Sequence, residues 1–213
     1  MKTILFQGDS ITDTSRVKDN EDHLGSGYAL LTTAELGYLN PGKYKFVNRG
    51  ISGNRIVDLY ARIKKDIINI KPDYMSILIG VNDVWHTFQH NNGVEADKFF
   101  KIYSMLIEEV KEALPDTKIM ILEPYVLEDN VTSVDGIWEE FKKEVALRAE
   151  KAKEIAEKYN LVFVPLQNKL DEASKEHGVR YYTYDGVHPT PFGHELIKRQ
   201  WLEGFNKLIE GEK

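Results

Sequence analysis

The residues best suited to chemistry lie near the two ends of the chain. At the start, Gly8-Asp9-Ser10-Ile11-Thr12 follows the short apolar run of residues 3–6. An apolar run that ends in glycine and a hydroxyl residue is typical of a central strand that stops at the sheet edge where open α/β sheets bind ligands. Ser10 is therefore a candidate nucleophile. The same residues also suit a turn or a helix N-cap, so its partners must come from elsewhere in the chain.

Near the other end, Asp185-Gly186-Val187-His188-Pro189 places an acid and a histidine three residues apart in a turn-rich segment. A carboxylate in this position can accept a hydrogen bond from one imidazole nitrogen, which leaves the other nitrogen to take a proton from a serine hydroxyl. Alone, such a pair also fits an ordinary surface turn. Together with Ser10, it predicts His188 as a general base and Asp185 as the acid that orients it.

Two loops between these ends contain groups that can stabilise an oxyanion. The stretch Asn48-Arg49-Gly50-Ile51-Ser52-Gly53-Asn54 contains glycines, which allow a backbone N–H to approach a ligand closely. The stretch Gly80-Val81-Asn82-Asp83 contains a side-chain amide at Asn82, which is a second candidate donor. Each stretch separately also fits a plain loop or cap, and we expect Asp13 and Asp83 to stabilise loops.

Elements that position these groups can be inferred from hydrophobic periodicity. Short, nearly continuous apolar runs are typical of strands that are buried on both faces of a parallel sheet. Five such runs occur, at residues 4–6, 45–47, 75–79, 119–122 and 161–164. Stripes of apolar residues with helical spacing lie between or after them, at residues 56–70, 99–114, 137–159 and 196–209.

This alternation of strands and helices predicts a three-layer α/β sandwich with right-handed crossovers and one domain over residues 1–213. Strand order is left open. Long irregular stretches are expected near residues 14–26, 82–93 and 123–135, after the first, third and fourth strands. In such a fold these loops lie at the carboxyl ends of the strands and surround the site of Ser10.

The composition narrows the possible functions. Acidic residues number 34 against 28 basic ones, a formal net charge of −6, and no basic cluster alternates with aromatic residues, so we expect no nucleic-acid or membrane partner. No cysteine is present, which excludes disulfides, thiolate zinc sites and thiol nucleophiles. The first residues have a strand pattern and not that of a signal peptide, so a cytoplasmic protein is expected.

The motifs together resemble a known family. In order, Gly8-Asp9-Ser10, the stretch around Gly53, Gly80-x-Asn82-Asp83 and Asp185-x-x-His188 are similar to the four blocks of the GDSL, or SGNH, hydrolases. The resemblance implies Ser10 as nucleophile, His188 as base, Asp185 as orienting acid, and an oxyanion hole of the Ser10 and Gly53 N–H groups with Asn82. It also implies a flavodoxin-like sandwich with a five-stranded parallel sheet. The usual Leu of the family name is Ile11 here.

One branch of this family fits in more detail. Gly50-Ile51-Ser52-Gly53-Asn54, with Asp58-Leu59, Lys71-Pro72-Asp73 and Asn82-Asp83-Val84-Trp85, is most similar to intracellular acetylxylan esterases and related carbohydrate acetylesterases. The absence of a Gly-x-Ser-x-Gly motif disfavours an ordinary α/β-hydrolase.

The sequence therefore predicts a serine esterase that removes acetyl groups from xylo-oligosaccharides or related carbohydrates without a cofactor or metal. Asp9, Trp85 and Tyr184 are candidate substrate contacts, since aromatic faces suit sugar rings, although aromatic residues also fit a core or a subunit contact. His86 and His90 are four residues apart, but a polar loop is favoured over a metal site. Self-association is also expected.

Two alternatives stay open at this point. The first is a broad short-chain esterase or lysophospholipase, which would prefer acyl chains longer than acetyl. The second is a non-catalytic flavodoxin-like binding module that holds a phosphate with its hydroxyl-rich loop of residues 10–15. Such a module has no need for the spacing of Asp185 and His188.

Overall fold

A computed structural model, which describes residues 1–210, shows five parallel strands in one sheet with the order β2-β1-β3-β4-β5. This is the flavodoxin-like order of doubly wound sheets. The predicted three-layer sandwich with a five-stranded parallel sheet is confirmed. The strands are β1 (Lys2–Gly8), β2 (Tyr44–Asn48), β3 (Tyr74–Leu78), β4 (Lys118–Leu122) and β5 (Val162–Val164).

Nine α-helices connect the strands or follow them in the described part of the chain. Helices α2 and α9 pack together on one face of the sheet, and α3, α5 and α6 cover the other. None of the helices within residues 1–210 combines the length and apolar character needed to cross a membrane. The helices are α1 (Ser10–Asp13), α2 (Tyr28–Leu39), α3 (Ile56–Ala61), α4 (Val81–His90), α5 (Ala96–Ala113), α6 (Trp138–Lys158), α7 (Gln167–His177), α8 (Val179–Tyr182) and α9 (Pro191–Glu210).

The central strand β1 is covered on both faces, which explains why its apolar residues are consecutive. Phe6 points to the layer of α2 and α9, where its ring lies 5.2 Å from that of Trp201. Leu5 points to the opposite layer and joins the cluster of α3 and α5. Alternate residues of a strand face opposite sides of the sheet. A strand that is buried on both faces must therefore be apolar throughout.

The strand register brings three loops to one place. Phe6 of β1 pairs with Asn48, the last residue of β2, and Gly8 pairs with Leu78, the last residue of β3. Parallel strands end at the same edge of the sheet, so the segments that follow Gly8, Asn48 and Leu78 leave it side by side. These segments contain Ser10, Gly53 and Asn82.

Several predicted elements differ from the structure. The expected irregular stretch of residues 82–93 is wrong in its first part, because α4 covers Val81–His90. The expected helix over residues 56–70 is divided: α3 ends at Ala61 and a π-helical segment covers Lys64–Ile68. Helix α2 had no predicted counterpart, because its apolar residues do not keep to one face: Leu36 is buried while Leu39 is exposed. The predicted domain also includes residues 211–213, which lie outside the described residues.

The end of β1 is the tightest point of this arrangement. A Cβ added at Gly8 would lie 2.4 Å from the Leu78 carbonyl oxygen and 2.4 Å from the Thr12 hydroxyl oxygen. Both neighbours belong to elements that position the site, so neither can move without cost. At Gly37 of α2, the one atom of residues 1–210 within 4 Å of an added Cβ, apart from the backbone of the helix itself, is in the Phe46 ring, at 3.8 Å.

We expect Gly8→Ala to lower the free energy of unfolding by about 1–3 kcal/mol, because overpacking forces strand β1 or α1 to shift. The matched change Gly37→Ala is expected to raise stability by about 0.4–1 kcal/mol, because alanine restricts the unfolded chain more than glycine does. Urea unfolding followed by far-UV circular dichroism measures both. Equal stability of the two variants would show that β1 tolerates a side chain at its end.

Candidate active site

Ser10 is held at the start of a single helical turn that follows β1 directly. Helix α1 begins at Ser10, and Asp9 is its N-cap: the Asp9 Oδ1 atom accepts a hydrogen bond from the Ile11 N–H at 3.0 Å. The Asp9 carbonyl oxygen accepts a second bond, from the Asp13 N–H at 2.8 Å. A carboxylate cap fixes the first turn of a helix, so the direction of the Ser10 side chain is set by its immediate neighbours.

The structure brings Ser10, His188 and Asp185 together in one chain of hydrogen bonds. The Ser10 Oγ atom lies 2.9 Å from His188 Nε2, although the two residues are 178 positions apart in the sequence. On the other side of the ring, His188 Nδ1 lies 2.6 Å from Asp185 Oδ2. The histidine can therefore accept the serine proton at Nε2 while its Nδ1–H donates to the acid.

The acid is fixed by its own loop. Asp185 Oδ1 accepts hydrogen bonds from the backbone N–H groups of Val187, at 3.0 Å, and of His188, at 2.8 Å. The loop is closed by an antiparallel bridge between Thr183 and Pro189, and the buried Tyr125 hydroxyl donates to the Val187 carbonyl oxygen at 2.8 Å. One carboxylate oxygen thus shapes the turn while the other orients the imidazole.

The electrostatics of this pair suit a general base. Burial favours the neutral form of Asp185, but the hydrogen bonds from the His188 ring and backbone outweigh it and hold the pKa of Asp185 below its ordinary value. For His188 the hydrogen bond to Asp185 outweighs burial and raises the pKa above the ordinary value of 6.5. Asp185 thus stays ionised and stabilises the imidazolium that forms when His188 takes a proton.

Three N–H donors are available in the segments that leave the sheet at the ends of β1, β2 and β3. Among residues 1–210, neither the backbone N–H of Ser10 nor that of Gly53 has a hydrogen-bond acceptor. Asn82, in the first turn of α4, uses one N–H of its side chain to donate to the Asn54 carbonyl oxygen at 3.2 Å, which leaves its second N–H available. Free donors beside a nucleophile are what a developing oxyanion requires.

Polar side chains fasten the Gly53 loop to its surroundings. Asp13 Oδ2 accepts from both the backbone N–H and the hydroxyl of Ser52, each at 2.9 Å. The fully buried Asp83 accepts from the Ile56 N–H at 3.0 Å, and burial raises the pKa of this carboxyl well above its ordinary value. Asp13 lies in α1 and Asp83 in α4, and both bind the backbone of the segment from Ser52 to Ile56, in line with the expected role in stabilising loops. Sequence reasoning missed Arg16, whose Nε donates to the Gly50 carbonyl oxygen at 2.9 Å, because no motif marks a single arginine.

The three candidate substrate contacts lie in different environments. Asp9 is only 1% exposed, which is at odds with a substrate contact, since its carboxyl is occupied as a cap beneath the surface. Burial raises the pKa of Asp9 to about 7. The Trp85 ring centroid lies 5.9 Å from that of His188, beside the reacting atoms. Tyr184 is 63% exposed and directly precedes Asp185.

The histidine pair of α4 lies on the helix and not in a polar loop as predicted. The His86 and His90 ring centroids are 5.3 Å apart. Nowhere in residues 1–210 do three or more His, Cys, Asp or Glu side chains form a group that could hold a metal ion. Burial lowers the pKa of His86, and Arg55 adds to this effect.

Known proteins share this sequence and fold. The acetylxylan esterase of Geobacillus stearothermophilus is 32% identical over 208 residues, which are 93% of this chain and 91% of that protein. Its crystal structure superposes with a TM-score of 0.83 over 95% of this chain and 93% of that one. A GDSL-like lipase from Parabacteroides merdae ATCC 43184 is 37% identical, with a TM-score of 0.89 over 95% of this chain and 94% of that one.

The family comparison covers every residue of the candidate site. The model of the GDSL-like lipase/acylhydrolase family matches residues 6–196, which include Ser10, Gly53, Asn82, Asp185 and His188. This match covers far more than half of the chain, and the acetylxylan esterase relative supports the same class of reaction. The chain therefore belongs to the GDSL-like lipase/acylhydrolase family and is a carboxylic ester hydrolase.

Proposed function

We propose that this protein is a serine esterase that removes acetyl groups from xylo-oligosaccharides or closely related carbohydrates through an acyl-enzyme. The observation that supports the mechanism is the continuous contact from Ser10 Oγ through both His188 ring nitrogens to Asp185. A serine hydroxyl is a weak nucleophile unless a neighbouring base removes its proton. This geometry supplies that base and fixes its orientation.

In the first half of the reaction, His188 Nε2 takes the proton of Ser10 as Oγ attacks the ester carbonyl carbon. The carbonyl oxygen becomes an oxyanion that accepts hydrogen bonds from the Ser10 and Gly53 N–H groups and from the Asn82 amide. When the tetrahedral intermediate collapses, the bond to the sugar oxygen breaks and the imidazolium of His188 donates its proton to that oxygen. The products are the free sugar hydroxyl and acetyl-Ser10.

In the second half, water replaces the sugar. His188 Nε2 takes a proton from water as its oxygen attacks the acetyl carbonyl carbon, and the same three donors hold the second oxyanion. Collapse breaks the bond to Ser10 Oγ, which regains a proton from His188, and acetate leaves. Asp185 keeps its charge throughout because its pKa lies below its ordinary value, so it stabilises both imidazolium states.

The carbohydrate part of the proposal depends on the relatives and on the aromatic residues at the site. The relative from G. stearothermophilus is an acetyl-xylooligosaccharide esterase, and its structure aligns with 95% of this chain. Trp85 lies beside His188, and the exposed Tyr184 adjoins Asp185. Flat apolar rings with a polar edge suit the faces of sugar rings. A broad short-chain esterase or lysophospholipase with the same triad remains the alternative.

The predicted self-association and cytoplasmic location stay predictions. Tyr184 is exposed, and so are Tyr181 and Phe192, whose rings stack with their centroids 4.2 Å apart. Exposed aromatic side chains are enriched at subunit interfaces, which supports self-association. Light scattering of the purified chain measures its mass in solution and decides the question.

We expect Ser10-dependent release of acetate from acetylated xylo-oligosaccharides, because the donors and the base surround a single hydroxyl. The assay compares wild type with Ser10→Ala, whose folding is checked by thermal unfolding, and adds aryl esters of increasing acyl length. Activity that falls beyond short chains supports the acetylesterase. Hydrolysis of long-chain esters without sugar deacetylation would support the alternative, and wild-type activity of folded Ser10→Ala would contradict the mechanism.

In a plot of kcat/KM against pH, we expect the activity to rise with a midpoint above pH 6.5. His188 must be neutral to act as a base, and its pKa is raised above that value. In Asp185→Asn the hydrogen-bonded charge is lost, so we expect the midpoint to move to lower pH and kcat to fall by up to about 10⁴-fold. Asp116→Asn, at an exposed position, is the control. If the midpoint of the pH profile is the same in Asp185→Asn as in wild type, Asp185 does not raise the pKa of His188.

Asn82→Ala is expected to lower kcat by about 10²–10³-fold, because an amide donor to the oxyanion acts mainly in the transition state. We expect a much smaller change in KM. Steady-state kinetics with an aryl acetate give both constants, and Asn206→Ala on the exposed side of α9 serves as the matched control. A change confined to KM would assign Asn82 to substrate binding instead.

A further inference from the structure

The helix that follows the oxyanion loop is interrupted at Arg62. Helix α3 ends at Ala61, Arg62 leaves helical geometry with φ −109° and ψ 13°, and the π-helical segment begins at Lys64. Such irregular turns are frequent at functional sites, because they redirect a side chain that a regular helix would aim elsewhere. The Arg62 side chain is only 13% exposed and turns toward the ends of β1 and β2.

The guanidinium group of Arg62 makes four hydrogen bonds to three different segments. Its Nε donates to the Asn54 side-chain oxygen at 2.8 Å, and its Nη1 donates to the Arg49 carbonyl oxygen at 2.8 Å. Its Nη2 donates to the Gly8 carbonyl oxygen at 3.3 Å. The fourth bond, from Nη1 to Asp66 Oδ2 at 3.1 Å, supplies a counter-charge.

These acceptors belong to the segments that contain the proposed oxyanion donors, or adjoin them in the chain. Gly8 is the last residue of β1, two positions before Ser10, and its carbonyl oxygen also accepts from the Ile51 N–H at 3.1 Å. Arg49 and Asn54 stand at the two ends of the loop that contains Gly53. The Asn54 carbonyl oxygen also accepts a hydrogen bond from the side-chain amide of Asn82. Arg62 is thus hydrogen-bonded to the strand end before Ser10, to the loop of Gly53, and to Asn54, which in turn binds Asn82.

We propose that Arg62 is a positioning residue that holds the oxyanion donors of Gly53 and Asn82 at a fixed distance from Ser10. This inference rests on the proposed function, because it acts through the oxyanion hole assigned there. Arg62 does not touch the substrate. It links the nucleophile strand to both ends of the Gly53 loop, so that the loop and Ser10 move as one body.

The contact geometry requires arginine. A guanidinium group is planar and presents its donors in a rigid fork, whereas a lysine ammonium is a single point with three rotatable donors. Asn54, Arg49 and Gly8 are met by three different nitrogens of Arg62, so one ammonium cannot replace them all. Burial lowers the pKa of Arg62, and Asp66 opposes this effect by its hydrogen bond and charge. Lysine at this position would keep the positive charge but could not make the three separate hydrogen bonds of the guanidinium group.

The position of the donors affects the transition state more than the bound ester. The negative oxygen exists only in the transition state and in the tetrahedral intermediate, so misplaced donors lower kcat more than they raise KM. A displacement of about 1 Å in a catalytic arrangement can cost about 100-fold in rate. A residue that only stabilised the fold would lower the amount of active protein and leave kcat per folded molecule unchanged.

The test compares Arg62→Lys with Arg148→Lys. Arg148 is also buried, and it donates through Nε and Nη2 to the Val94 carbonyl oxygen and through Nη1 to Glu144, without contact to the Gly53 loop. We expect Arg62→Lys to lower kcat about 10–100-fold with a change in KM below about threefold. Arg148→Lys is expected to lower the unfolding temperature while its kcat, per folded molecule, stays at the wild-type value.

A second readout uses an alkyl boronic acid, whose tetrahedral adduct with Ser10 places a negative oxygen at the oxyanion donors. Its affinity for Arg62→Lys is expected to fall by about the same factor as kcat. A transition-state mimic is held by the same hydrogen bonds that stabilise the transition state, so it is weakened when they are weakened. Wild-type kcat and boronic acid affinity in folded Arg62→Lys would overturn the inference. So would equal losses of kcat in Arg62→Lys and Arg148→Lys.

Two further variants keep the outcomes separate. If folded Ser10→Ala retains wild-type activity, the proposed function fails; if Ser10→Ala is inactive and Arg62→Lys is normal, only the role of Arg62 fails. If Arg62→Lys does not fold, Asn54→Ala removes one acceptor and leaves the arginine. We expect about a 3–10-fold loss of kcat in Asn54→Ala, and a wild-type kcat there would also overturn the inference.

Discussion

The site depends on one constraint, the parallel pairing of β1 between β2 and β3. Because Phe6 pairs with Asn48 and Gly8 with Leu78, three loops leave the sheet at the same edge within hydrogen-bonding distance of one another. The nucleophile follows the middle strand directly, with one residue between Gly8 and Ser10. The remaining partner, His188, lies far along the chain but reaches Ser10 because α9, which follows it, packs on the same sheet.

Buried polar side chains then fix loops that backbone pairing alone would leave free. Arg16 binds Gly50 and Asp13 binds Ser52 within the loop, and Asp83 binds Ile56 at the start of α3, so residues from other segments fasten the loop and the helix that follows it. A buried polar side chain is costly unless it is hydrogen-bonded, and here the backbone of the loop and of Ile56 supplies a partner for each of the three. The loop conformation and the burial of these side chains therefore depend on each other. Such mutual dependence favours a single arrangement over several similar ones.

Much of this could be predicted from the sequence, for identifiable reasons. Ser10, Asp185 and His188 occur in short local motifs, and strands buried on both faces have the continuous apolar runs that mark residues 4–6 and 119–122. Strand order could not be predicted, because pairing depends on packing between distant segments. The sequence of helix α4 predicts a loop and not a helix, because polar residues such as His86 and Gln89 interrupt its apolar pattern. Arg62 could not be found either, since its role comes from three acceptors that are brought together only by folding.

The buried carboxyl of Asp9 connects the sequence motif to the titration of the site. It is fixed as a cap by the Ile11 N–H, and its Oδ2 atom has no partner among the described residues. Burial raises the pKa of Asp9 to about 7, opposed by the Ile11 N–H and by the charge of His188. The charge of Asp9 in turn adds to the effect of Asp185 in raising the pKa of His188. Because Asp9 and His188 interact, and the pKa values of both are raised above their ordinary values, the titration of the base belongs to the pair and not to His188 alone. The apparent pKa of the base therefore depends on a buried residue that caps the helical turn of the nucleophile.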